Sequence, residues 1–245
     1  MLVLFSLSSC FEIESTISVK KDGSGTVSEQ VVLGAQMLAM MKMGAQEGAE
    51  DPLASFNEEA LKAKAAEYGK GVEFVSVKNE EKEGRMFITA LYKFDDISTL
   101  EYKPGAIMGD GSEPEEEDKE PTIGFDFKDG TLTVMVPEPD ADDFALGDAE
   151  MSEEEMMMAA PMMAGMKISA KLVFEGGIES TNATYQDENT VILMSMDMDE
   201  LLKNEGGLKA VKTLQVENRA DFGKAVAKIK GIEMEHQEKV TVKLK

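Results

Sequence analysis

One cysteine, one histidine and nineteen methionines stand out in this 245-residue chain as side chains able to ligate, acylate or transfer a proton. Cys10 closes the stretch MLVLFSLSSC, in which Met1 to Leu7 is almost wholly apolar and Ser8 and Ser9 are small. Leu7-Ser8-Ser9-Cys10 is the pattern of a lipoprotein signal-peptide end: a branched apolar residue, two small residues that fit a peptidase, and a thiol that forms a thioether to lipid. The apolar run is far shorter than the ~20 residues of a spanning helix, so residues 1–9 read as a processing segment and 10–245 as the exported domain. No Lys or Arg precedes the run, as expected if the true start codon lies upstream. The competing reading is a cytosolic chain with an apolar first strand and one free thiol.

The methionines cluster. Met37, Met40, Met41 and Met43 share one helical stretch; Met151, Met156, Met157, Met158, Met162, Met163 and Met166 surround Pro161; Met194, Met196 and Met198 are spaced by two. Three readings compete. Stripes at helix or strand spacing suit a core, because the unbranched thioether fills irregular gaps. Met156 to Met166, with Met37, Met40 and Met41, would also suit an adaptable apolar surface for an acyl chain or a partner's apolar helix. Thioethers select Cu(I), and Met156, Met157, Met158, Met194, Met196 and Met198 are the candidate ligands on that reading.

Other chemistry is thin. His236 lies in the charged run 233–239, where a solvent-facing ring is expected, and no Gly-x-Ser-x-Gly accompanies it. Ser18-Val-Lys-Lys21 matches Ser-x-x-Lys, but on a strand edge and without companion motifs. No phosphate loop or dinucleotide fingerprint appears. Among Asp140, Asp142, Asp143 and Asp148, Phe144 takes the place of a calcium-loop oxygen, so only non-specific divalent binding is expected. No catalytic residue, no cofactor and no enzyme activity follow.

The balance of 25 basic against 48 acidic residues gives −23, which argues against nucleic acid or another polyanion as partner. It also disfavours docking on anionic lipid, so a covalent anchor would hold the domain. The excess concentrates in 109–120 and 137–155, which read as solvated acidic loops.

Elements able to position these residues are mostly strands with period-two alternation. Phe11, Ile13, Ile17 and Val19 share one face; a turn at Lys21 to Gly25 leads to Val27, Val31 and Leu33, a hairpin. Helices are predicted over 35–46 and 57–68, stopped by Gly69 and Gly71. Strands follow at 72–77, 85–94, 122–127, 131–136, 167–174, 178–185 and 190–196. One helical turn at 199–203, an amphipathic helix at 221–230 closed by Gly231, and a strand through Val240, Val242 and Leu244 complete the chain. The fold class is α+β: antiparallel hairpins in one or two sheets, with inserted helices and a C-terminal helix and strand.

Two stretches carry a resemblance: Cys10 followed at once by FEIESTISVKKDGSGTVSEQVVLG, and the late block KISAKLVFEGGIESTNATYQDENTVILMSMDMDELL. Together they resemble the LppM-like family of bacterial lipoprotein domains. The chain departs from that pattern at Glu175, where a Pro is usual, and in having no Trp. The resemblance implies an α+β cell-envelope domain with a role in binding lipid or glycolipid, and it carries over no catalytic residue. The expectation is therefore a lipoprotein anchored through Cys10 to the cell membrane or outer membrane, facing out of the cytoplasm. It would bind an amphiphile or an envelope protein. A Met-based Cu(I)-binding protein and a purely structural envelope component are the alternatives.

Overall fold

The computed structural model describes residues 11–44, 53–103, 122–138, 163–204, 206–212 and 218–245. Leu7, Ser8, Ser9, Cys10, Met151, Met156, Met157, Met158, Met162, the acidic segment 109–120 and most of 137–155 lie outside the described residues.

Alternation along the first hairpin gives β1 (Phe11–Val19) and β2 (Gly25–Leu33), antiparallel in unbroken register from Phe11 opposite Leu33 to Val19 opposite Gly25. Asp22 makes the turn. Its Oδ1 accepts from the Ser24 backbone N–H at 3.0 Å and from the Ser24 hydroxyl at 2.7 Å, while Gly23 adopts φ +85°. Helix α1 (Ala35–Gly44) leaves the end of β2, and α2 (Glu58–Ala63) starts where the Asn57 side chain accepts from the Ala60 N–H at 2.8 Å. A 3-10 turn over Lys64–Tyr68 extends α2 and ends at Gly69 (φ +118°), where a Cβ would lie 2.1 Å from the Thr99 carbonyl oxygen.

There follow β3 (Glu73–Lys82) and β4 (Arg85–Phe94), β5 (Glu101–Tyr102), and the pair β6 (Ile123–Lys128) and β7 (Thr131–Met135). Next come β8 (Lys167–Phe174), β9 (Ile178–Thr181), β10 (Gln186–Asp187) and β11 (Thr190–Asp197). The C-terminal part holds α3 (Met198–Lys203), α4 (Gly207–Lys212), α5 (Arg219–Val226), β12 (Ile232–Met234) and β13 (Lys239–Leu244).

The strands form two sheets, so the fold is α+β. One has the order β10-β11-β8-β1-β2-β4-β3 with β12 beside β11; the other is β5-β6-β7-β13-β9. Buried side chains from both sheets, among them Ile17, Val27, Tyr92 and Phe174 from the first and Leu132, Val134, Val240 and Val242 from the second, make one apolar core. A smaller cluster of Met196, Met198, Leu201, Val211, Phe222, Val226, Ile229 and Ile232 forms where α3, α4 and α5 meet β11 and β12. No helix among the described residues is long and apolar enough to cross a membrane.

Four departures from the sequence expectations have physical causes. Strand β8 pairs parallel with β1, from Glu12 opposite Lys167 to Val19 opposite Phe174, because it re-enters the sheet from the end where β1 begins. Ser18 consequently lies on an interior strand, not an edge. After Phe174 the chain turns through Gly176-Gly177 into the second sheet, where β9 ends at Thr181 instead of continuing to Tyr185. Helix α5 starts at Arg219, capped by the Asn218 side chain, and stops at Val226. The residues after it turn tightly, with Ile229 N–H donating to Val226 O, before Gly231 (φ +92°). Finally, α4 and β12 are too short to show in a periodicity; β12 exists through its pairing with β11, Met194 opposite Met234.

Candidate functional site

Strand register gathers most of the described methionines at one end of the first sheet. Phe11 lies opposite Leu33, Leu33 opposite Met86, Glu12 opposite Lys167, and Lys167 opposite Asp197. This is the end from which α1 departs, at which the 163–166 turn enters β8, and at which β11 passes into α3. Its far counterpart, about 26 Å away along a nine-residue strand, is the Asp22 turn. In the sequence, Cys10 directly precedes Phe11, the first residue of β1.

Within that end the structure distributes the expected residues unevenly. Met37 and Met41 are half-buried against the main core, and Met43 is 77% exposed. Met40 lies in α1, but its side chain is outside the described set. Met163 and Met166 are half-buried against the smaller cluster, in which Met196 and Met198 are buried. Met166 O also accepts from the Met198 N–H at 3.0 Å, and Asp199 Oδ1 accepts from the Gly165 N–H at 2.7 Å. Ile192, Met194, Met196 and Met198 do not keep one face as a regular strand would impose. A bulge between Ile192 and Met194 leaves Val191 and Leu193 in the main core, with Met194 packed against it, while Met196 and Met198 enter the smaller cluster. Among the described residues, no three His, Cys, Asp or Glu side chains group as a metal site.

His236 is the second correction. Its ring is half-buried against Gly223, where a Cβ would meet the ring Cδ2 at 2.3 Å, and its Nδ1 lies 3.3 Å from the Met234 carbonyl oxygen. Beside it Glu235, 2% exposed, takes four donors. Oε2 accepts from the Thr184 N–H at 2.6 Å; Oε1 accepts from the Thr184 hydroxyl at 2.7 Å and from the His236 and Gln237 N–H groups at 2.9 Å.

A different carboxyl, absent from the sequence candidates, lies inside the main core. Glu29 on β2 is fully buried and stands opposite Ser15 on β1, whose hydroxyl donates to Glu29 Oε2. Three buried tyrosines surround the pair: Tyr92 on β4, Tyr68 on the 3-10 turn and Tyr102 on β5 of the other sheet. Tyr92 donates to the Leu61 carbonyl oxygen at 3.1 Å, and its ring lies 4.7 Å from that of Tyr68. The Tyr68 hydroxyl is close enough to help hold a charge on Glu29 but makes no well-formed hydrogen bond. Among the described residues the same holds for the Tyr102 hydroxyl and for Glu29 Oε1.

Burial dominates the electrostatics of this cluster. It pushes the Glu29 carboxyl from 4.5 up to about 7, against the pull of Ser15 and Tyr68 in the other direction. Burial, and then the nearby Glu29 charge, raises all three tyrosines above their ordinary value. The phenols are thus neutral donors at any physiological pH, and Glu29 is the one member poised to exchange a proton near neutrality. The signal was present in the alternation. Ile13, Ser15, Ile17 and Val19 share a face, as do Val27, Glu29, Val31 and Leu33, so an acid and a hydroxyl fall on core faces.

No family model and no curated protein matches the chain. Its structure is similar to the solved folded domain of the Mycobacterium tuberculosis LppM protein, at 10% identity and a TM-score of 0.38, covering 81% of this chain and 89% of that one. The likeness is a distant one of architecture.

Proposed function

We propose that the chain is a lipid-anchored cell-envelope binding domain without enzymatic activity, which takes an amphiphile at the methionine-rich end beside Cys10. The observation that carries this reading is the register of the first sheet. It brings half-buried Met37, Met41, Met163 and Met166 to the same end as Phe11, the residue after the expected acylation site. Acylation of Cys10 would hold that end at the bilayer surface with no linker. The side chains found there are unbranched thioethers, which repack around an acyl chain at little cost.

Native mass spectrometry with lipid extraction, on the domain from Phe11 purified without detergent, tests the binding half. Bound amphiphile at defined stoichiometry, lost in Met41→Lys and Met163→Lys variants that still fold, is the expected result. A ligand-free mass under those conditions rejects the reading. Mass analysis of the Cys10 peptide from membranes tests the anchor separately.

A further inference from the structure

The buried polar cluster has a consequence independent of the anchor and of the methionines. Glu29 is met from every element packed around it by a group without charge: Ser15 from β1, Tyr92 from β4, Tyr68 from the 3-10 turn and Tyr102 from β5. Glu67 acts on Tyr92, whereas the side chains that act on the Glu29 carboxyl, Ser15 and Tyr68, carry no charge. A protonated Glu29 needs no counter-charge here. An ionised one needs donors and has one well-formed, from Ser15, while two idle phenols sit on the segments that cover it.

We propose that Glu29, Ser15, Tyr68 and Tyr102 form a closed proton-binding site at the joint between the two sheets, and that release of its proton loosens the cover made by residues 61–69 and β5. In the step the carboxylic O–H bond of Glu29 breaks, the proton passes to bulk water, and the carboxylate left behind is stabilised by admitting water or by drawing the phenols toward it. Both routes disturb the same two segments. Tyr68 and Tyr102 are their anchors in the core, and Tyr92 is tied to Leu61 of α2. The joint also lies along β2, four residues before Leu33, after which the chain passes into α1 with Met37 and Met41.

Hydrogen exchange of the full-length chain, read by mass spectrometry from pH 5 to 8.5 and corrected for intrinsic base catalysis, tests this. The opening of residues 61–69 and 100–102 should rise roughly tenfold per pH unit between about pH 5 and 7 and level off above 7, while β6, β7 and β13 stay unchanged. Glu29→Gln should remove the rise. Ser15→Ala, which takes away the one formed donor, should move the plateau to higher pH and serves if Glu29→Gln does not fold. A flat profile in the native chain overturns the proposal, as does an unaltered rise in Glu29→Gln or a Glu29 carboxyl signal titrating below pH 5 in carbon-13 NMR.

Discussion

Glu29 and Glu235 are both buried glutamates on β-rich parts of one chain, yet their surroundings are opposites. Glu235 sits where the backbone is irregular, between β12 and β13, and three N–H groups with one hydroxyl converge on its two oxygens. Glu29 sits in the middle of a regular strand whose N–H groups are already engaged in the β1 and β4 ladders, leaving only side chains to serve it. A sheet interior offers a buried carboxyl few donors because its backbone is fully paired; a loop offers several. Glu235 is therefore a staple and Glu29 a proton acceptor held against its preference.

Removing the staple should have the largest effect. Glu235→Ala leaves four donors without an acceptor and should cost about 4 kcal/mol in urea unfolding; a loss under about 1 kcal/mol would show that water replaces the carboxyl without penalty. Glu29→Gln should act in the opposite sense. A folded-state value raised from 4.5 to about 7 gives stability that is complete below pH 4.5 and lost as pH rises through 7. The amide should thus stabilise the chain by about 3 kcal/mol at pH 8 and change little at pH 4; equal effects at both values would break the contrast. Ser15→Ala should cost about 1 to 2 kcal/mol at pH 8 and less at pH 5, because its hydroxyl serves the ionised form best. Thr184→Val should cost about 1 kcal/mol at either pH, as it removes one hydroxyl bond from Glu235 and leaves the three N–H bonds in place. Thermal unfolding of the two variants side by side at both pH values reads the difference.

Period-two alternation made most strands legible, and it marked the inward faces of β1 and β2 well enough that Ser15 and Glu29 could have been placed there. One acid within the apolar face of Val27, Val31 and Leu33 does not disturb the period of two, so the pattern carries no sign of the tyrosines that cover it. The helix starts at Asn57 and the C-terminal apolar stripe of Phe222, Val226 and Ile229 were equally readable, since caps and helical spacing are local. The methionines were legible as clusters but not as packing. A single bulge in β11, between Ile192 and Met194, breaks the strand's alternation just ahead of the methionines, and no residue type announces it.

By itself the sequence determined the acidic balance, the hairpin grammar and the α+β class, because these depend on composition and on contacts a few residues apart. Only the tertiary structure decided that β8 lies parallel to β1, that Met37 and Met41 pack against the main core while Met163 and Met166 pack against the smaller cluster, and that Tyr68 and Tyr102 close over Glu29. Those facts depend on which distant strands pair and in what register. Local propensity leaves register open, and burial of a shared core selects it.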